Sequence, residues 1–222
     1  MKERKSTNYL NNLNNNKEYN DVIMLVHDDA IKKEVPIIQD DGLDFLLCLV
    51  RIMRPLKILE IGTAVGFSSI MMALNSNAVI DTIERNEEMY KKAQENTRKL
   101  NLDKRIRLHF DDALTIDISK LDKDYDIIFI DAAKAQNQKF FLKYSPLLKD
   151  NGIIITDNIL FHGYVEEFYN TSTIQNGSKD LIAMVRKIAL YNEWLKSLSL
   201  YETTFINVGD GMAITKKREK YE

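Results

Sequence analysis

A chain of 222 residues, 45% of them hydrophobic and 29% charged, can bury one sizeable core, which excludes a disordered or fibrous protein. A formal net charge of -2 gives no global basic field to recruit nucleic acid, and no apolar run reaches the roughly 18 to 20 residues that cross a bilayer. One cysteine excludes an internal disulfide framework, and Met1-Lys2-Glu3-Arg4-Lys5 leads into no signal-peptide core, so a cytoplasmic protein is expected.

The expected organisation is a single domain over 1-222, with a helical entry over 1-54 and an α/β core over 55-217. The asparagine-rich opening Asn8 to Asn16 reads as a frayed first helix or a mobile arm. Apolar residues then recur at helical spacing from Asp21 to Lys33 and from Asp40 to Met53, separated by Val35-Pro36-Ile37-Ile38. Cys48 lies in the second of these helices, where core packing is expected of it.

The run Lys57-Ile58-Leu59-Glu60-Ile61-Gly62-Thr63-Ala64-Val65-Gly66-Phe67-Ser68 joins a short apolar strand to a helix through a glycine turn. Helix-start N–H groups lack intrahelical partners, and glycines let a ligand approach the main chain, so Glu60, Gly62, Thr63, Gly66 and Ser68 are candidates for a cofactor site. Ala64 stands where a dinucleotide fingerprint would place a glycine, which argues against a pyrophosphate on this turn. Glu60, near the end of a buried strand, requires donors, either a bound ammonium or a ring of turn N–H groups.

A second strand, Ala78 to Arg85, carries Glu84 at its tip, where an acid grips the hydroxyls of a nucleoside ribose or simply starts the next helix, Asn86 to Leu100. Ile106 to Phe110 is a third strand running into Asp111-Asp112-Ala113. Tyr125 to Ile130 is a fourth, ending at Asp131-Ala132-Ala133-Lys134, and a helix follows to about Leu148. Gly152 to Thr156 is a fifth, ending at Asp157-Asn158. Near-continuous apolar strands alternating with helices predict a parallel sheet covered on both faces. Phe161 to Asp180 reads as a lid or substrate-binding loop around Tyr164, Phe168 and Tyr169. A helix from Leu181 to Leu198 and a hairpin, Glu202 to Val208 and Met212 to Thr215 about Gly209-Asp210-Gly211, close the chain. The fold class expected is α/β, a doubly wound Rossmann-like sheet, parallel but for an antiparallel C-terminal hairpin strand, behind N-terminal helices; in that reversed strand it resembles the sheet of the class I methyltransferases.

Ligands of open α/β sheets bind outside the carboxyl ends of the strands, where Glu60 to Gly66, Glu84, Asp112, Asp131 and Asp157-Asn158 all fall. Asp131, Asp157 and Asn158 offer hard oxygen donors that suit Mg²⁺ or a similar divalent ion rather than zinc, the alternative being a plain turn and a helix start. A metal there would bind an acceptor hydroxyl and favour its ionised form, and Lys134 could take the hydroxyl proton or stabilise the oxyanion.

With Glu60-x-Gly62 and the Asp131-Ala132-Ala133-Lys134 and Asp157-Asn158 pieces, the chain resembles the cation-dependent class I O-methyltransferases, the group of the catechol and caffeoyl-coenzyme A enzymes. Tyr191-Asn192-Glu193-Trp194-Leu195 and Val208-Gly209-Asp210-Gly211 bring it nearest the bacterial tRNA 5-hydroxyuridine methyltransferases. The resemblance implies an S-adenosylmethionine site lined by Glu60, Gly62, Ser68, Glu84, Asp112, Ala113 and Asp131 and covered by Ile37-Ile38, with Mg²⁺ on Asp131, Asp157 and Asn158. It further implies a homodimer that acts on the tRNA anticodon loop, methylating the wobble 5-hydroxyuridine to 5-methoxyuridine, with no membrane or DNA partner. One departure bears on the RNA: relatives carry an arginine-rich segment where Asn176-Gly177-Ser178-Lys179-Asp180 is nearly neutral. Arg51, Arg54, Lys57, Arg186-Lys187 and Lys216-Lys217-Arg218-Lys220 are the basic residues that would compensate. The rival readings are a catechol-like phenol as acceptor and a non-catalytic nucleoside- or RNA-binding module.

Overall fold

The computed structural model describes Leu13 and residues 21–219, so most of the asparagine-rich opening lies outside the described residues. Seven strands, β1 (Lys57–Ile61), β2 (Val79–Glu84), β3 (Ile106–Phe110), β4 (Tyr125–Ile130), β5 (Leu148–Asp157), β6 (Tyr201–Ile206) and β7 (Met212–Lys217), form one sheet in the order β3-β2-β1-β4-β5-β7-β6. The first five are parallel, β7 runs antiparallel to β5, and β6 pairs antiparallel with β7 at the edge. The expected doubly wound sheet with its reversed hairpin strand is thus present.

Helices cover both faces. They are α1 (Asp21–Lys32), α2 (Asp40–Met53), α3 (Phe67–Leu74), α4 (Glu87–Lys99), α5 (Asn137–Tyr144), α6 (Tyr164–Thr171) and α7 (Lys179–Ser197). Alternation along each strand divides the core: Ile58, Ile80, Phe129 and Ile155 meet the α1 to α3 side, while Leu59, Ile61, Ile128 and Ile154 meet α5 and α7. Helix starts are chemically marked. The Asn86 side chain accepts from Met89 N and Ser178 from Leu181 N, and Glu87 and Glu88 place negative charge against the first turn of α4.

Three expectations need correction. The segment read as a loop from Phe161 to Asp180 contains α6, because Val165 and Phe168, three apart on one face, pack with Ile174, Val185 and Ile188 of the flanking loop and α7. The helix expected to reach Leu148 stops at Tyr144, and after a 3-10 turn over Ser145–Leu147 the chain enters β5 four residues earlier than Gly152. Cys48 is exposed. The buried stripe of α2 is Gly42, Leu43, Leu46, Leu47 and Val50, and position 48 falls outside that stripe.

Gly62, directly after β1, sits at φ +102°, and a Cβ there would lie 2.3 Å from the main-chain oxygen of Asp131 at the end of β4. Gly163 has a similar φ of +81° with nothing within 4 Å. Gly62→Ala should therefore cost at least about 3 kcal/mol of unfolding free energy, and Gly163→Ala only about 1 kcal/mol. Urea denaturation of the two variants checks this, and equal losses would show that the crowding at Asp131 is absent.

Candidate active site

Register brings the candidate residues to one edge. Ile61 is level with Ile83 and Ile130, and Ile130 with Thr156, so the loops after β1, β2, β4 and β5 leave the sheet side by side. The turn after β1 is tied down by its own main chain: Gly62 N and Thr63 N donate to Ile83 O, and Gly66 N to Thr63 O. Thr63 is buried, its hydroxyl 2.6 Å from that of Thr82. Gly66 caps α3 at φ +83°, and a Cβ would stand 3.3 Å from that of Ala93. Close protein packing is thus one reason for glycine at both positions.

Glu60 is fully buried, and its donors differ from those expected. Within the protein the hydroxyls of Ser68 and Thr82, each at 2.5 Å, and of Ser69 donate to its carboxyl group, where the sequence reading named a bound ammonium or a ring of N–H groups. Burial outweighs these donors and, with the Asp131 charge adding to it, pushes the Glu60 carboxyl up to about 7.

Glu84, at the end of β2, accepts from Ala64 N at 2.9 Å and from Asn86 N at 2.7 Å, so it braces the glycine turn against the start of α4. Each carboxylate oxygen keeps a second lone pair, enough for a pair of ribose hydroxyls. Asp112 accepts from Leu114 N at 2.8 Å and faces Arg85 at 3.4 Å, while Tyr144 donates to the Ala113 carbonyl at 2.6 Å. Ile38 is buried in the core and Ile37 packs against it; beside them, Val35 lines a cavity with Val65 of the glycine turn.

Asp131 donates its main-chain N–H to Ile61 O, and its side chain receives Lys134 Nζ at 2.5 Å. Asp157 ends β5 with 2% exposure, and one of its oxygens accepts from Asn158 N at 2.7 Å. Burial first, and then the neighbouring Asp131, push its carboxyl up to about 7 against the opposing pull of Lys134. Asn158 stands at φ +58° and points its amide Nδ2 at Asp210, 3.3 Å away.

Among the described residues no group of three or more His, Cys, Asp and Glu side chains is arranged to hold a metal, so an ion on Asp131 and Asp157 would need a further donor such as the Asn158 amide oxygen. The chemistry of that set fits a hard divalent ion. Asp131 lies near enough to raise the proton affinity of Asp157, Lys134 pairs with Asp131, and the donors of the set are all oxygen.

Asp210 and Asn192 lie in the two pieces that carried the nearest resemblance, but the sequence reading gave neither a place at the site. Asn192 of α7 donates to the Ile159 carbonyl at 3.0 Å and so ties that helix to the strand exit carrying Asn158. An Asp between two glycines reads as turn chemistry and an Asn inside a helix as a surface residue, so residue type did not point to these contacts. Phe168 and Tyr169 line a cavity of about 300 Å³ between α6 and α7 together with Leu160 and Arg186. The compensating basic residues are differently placed. Lys57 begins β1 beside Asp122, and Lys217 ends the antiparallel β7 on the Leu148 carbonyl and Asp150, both at the edge of the sheet opposite the site. Of that set, Arg186 lines the cavity beside Leu160.

The raised carboxyl of Glu60 has a definite sign. A folded-state value near 7 against an ordinary value of 4.5 means stability fully present below pH 4.5 and lost as pH rises through 7. In a chelating buffer the protein should melt at progressively lower temperature from pH 5 to pH 7.5, and Glu60→Gln should flatten that slope. A slope unchanged in the variant would show that Glu60 is ionised throughout.

The profile of the O-methyltransferase family matches residues 14–218. A provisionally named caffeoyl-CoA O-methyltransferase of Arabidopsis thaliana is 31% identical over 191 residues, 83% of this chain and 78% of the relative. A crystal structure of a Staphylococcus aureus protein, provisionally named in the same way, superposes with a TM-score of 0.86 at 40% identity, covering 95% of this chain and 98% of that one. An O-methyltransferase of Bacillus cereus in complex with SAH shares the fold at a TM-score of 0.78 and 24% identity, over 95% and 96% of the two chains. With the profile spanning nearly all of the described sheet and helices, the chain belongs to the O-methyltransferase family.

Proposed function

We propose that the protein transfers a methyl group from S-adenosylmethionine to an acidic ring hydroxyl, assisted by Mg²⁺ or another hard divalent ion on Asp131, Asp157 and Asn158. The observation that carries this reading is the crowding of the Asp131 main chain on Gly62, because it fixes the glycine turn, where a methyl donor would lie, beside the oxygen donors of the next strand. When bound, the cation would acidify the acceptor hydroxyl and the sulfonium would supply an electrophilic carbon. The chain's own residues do the rest. Glu84 takes the ribose hydroxyls, with Asp112 and Ala113 beside it, and Ile37-Ile38 covers the turn. Lys134, held by Asp131, takes the acceptor proton or steadies the oxyanion. The SAH of the Bacillus cereus relative supports the choice of methyl donor.

For the acceptor we assign the 5-hydroxyl of wobble 5-hydroxyuridine in tRNA, on the Tyr191 to Leu195 and Val208 to Gly211 pieces. An anticodon-loop base is already unpaired and needs little work to present. A second reading, a catechol-like phenol, is favoured by the relatives named for caffeoyl-CoA and by basic residues lying at the far edge of the sheet. We further propose a homodimer; the exposed Cys48 and Ile52, one turn apart on the outer side of α2, supply apolar surface for it.

Nucleoside mass spectrometry of 5-hydroxyuridine tRNA incubated with protein, S-adenosylmethionine and Mg²⁺, with a catechol present, separates the readings. Conversion to 5-methoxyuridine that a chelator abolishes is the expected result, and methylation of the catechol alone would overturn the tRNA assignment. Asp157→Ala should lose at least about 100-fold in turnover while still binding S-adenosylmethionine. Unchanged turnover in that variant would overturn the metal-assisted mechanism, and wild-type protein that methylates neither acceptor would favour a binding module.

A further inference from the structure

We propose that Asp210 is a positioning residue for the cation site, fixing the Asn158 side chain so that its amide oxygen, and not its nitrogen, faces Asp131 and Asp157. The inference rests on the metal reading above. Asn158 follows β5 at φ +58° and begins a stretch in which Phe161, His162 and Gly163 also have positive φ, so the main chain there is held from outside. The holder is the turn between β6 and β7. Ile159 N donates to Gly211 O at 3.1 Å and Leu160 N to Asp210 O at 2.9 Å. Gly211 has no room for a side chain, since a Cβ would stand 2.6 Å from Leu160 Cγ.

These main-chain bonds grip the strand exit whatever side chain stands at 210. The carboxylate of Asp210 does something separate. It is 6% exposed, accepts from His162 N at 2.5 Å through one oxygen, and accepts from Asn158 Nδ2 at 3.3 Å through the other. An amide presents a donor end and an acceptor end, and only the acceptor end can ligate a cation. A carboxylate accepts and does not donate, so it selects the nitrogen end of Asn158 and leaves the oxygen for the metal side.

The test is Mn²⁺ binding, followed by the electron paramagnetic resonance of the free ion, on the full chain and its variants. Asp210→Ala should weaken Mn²⁺ about tenfold. Asn158→Gly, which tolerates the positive φ, should weaken it further, and adding Asp210→Ala to that variant should change affinity less than twofold, because the group it positions is gone. Should the alanine variant not fold, Asp210→Leu, of nearly the same bulk and without an acceptor, replaces it in both backgrounds. Wild-type affinity in the single variant, or losses that multiply in the double, would overturn the positioning role and leave the metal site standing. Wild-type protein that binds no Mn²⁺ would overturn both.

Discussion

The close approach of Gly62 to the Asp131 main chain is the constraint on which the rest of the site depends. Two adjacent parallel strands, β1 and β4, end level with each other, and the turn leaving the first passes over the end of the second with no space for even one methyl group. Only glycine meets both the steric demand and the φ of +102°. The consequence is geometric. The turn that would carry a methyl donor and the strand end that would carry a metal cannot drift apart without breaking the sheet, so the distance over which a methyl group would travel is built into the main chain.

Two buried carboxyl groups show how the same fold distinguishes support from function. Glu60 and Asp157 are both pushed up to about 7 by burial, yet their surroundings differ. Glu60 receives three hydroxyls from its own domain, Ser68, Ser69 and Thr82, which join β1, β2 and the start of α3 in one buried knot. These bonds hold the turn in shape. Asp157 receives one neighbouring N–H and lies near a second carboxylate, an arrangement that a bound cation would relieve.

Much of this was legible in the amino-acid order, and the failures have physical causes. Acids at the tips of β2, β4 and β5 could be found because parallel strands give apolar runs with abrupt polar ends. Short-range patterns misled elsewhere. α6 hid among Gly, Thr and Ser because an eight-residue helix shows barely two turns of period, and its stability comes from packing on α7. Cys48 looked interior because its neighbours in sequence are, although a helix turns 100° at each step. Asp210 stood in a piece read for its resemblance, but its contact with Asn158 joins a hairpin turn to a strand exit some 50 residues earlier in the chain, and no local pattern encodes such a meeting. Likewise, the basic residues at Lys57 and Lys217 could be counted but not placed until the direction of β7 put them at the edge opposite the acids.

The central claim is that one cleft at the carboxyl ends of β1, β2, β4 and β5 holds methyl donor and cation side by side. A crystal structure of the protein grown with S-adenosylhomocysteine and Mn²⁺, with data collected at the manganese edge, addresses it most directly. The account predicts one strong anomalous peak bonded to oxygens of Asp131, Asp157 and Asn158, and a ribose whose hydroxyls meet Glu84. A peak held by other residues, or a nucleoside bound away from the turn after β1, would contradict it.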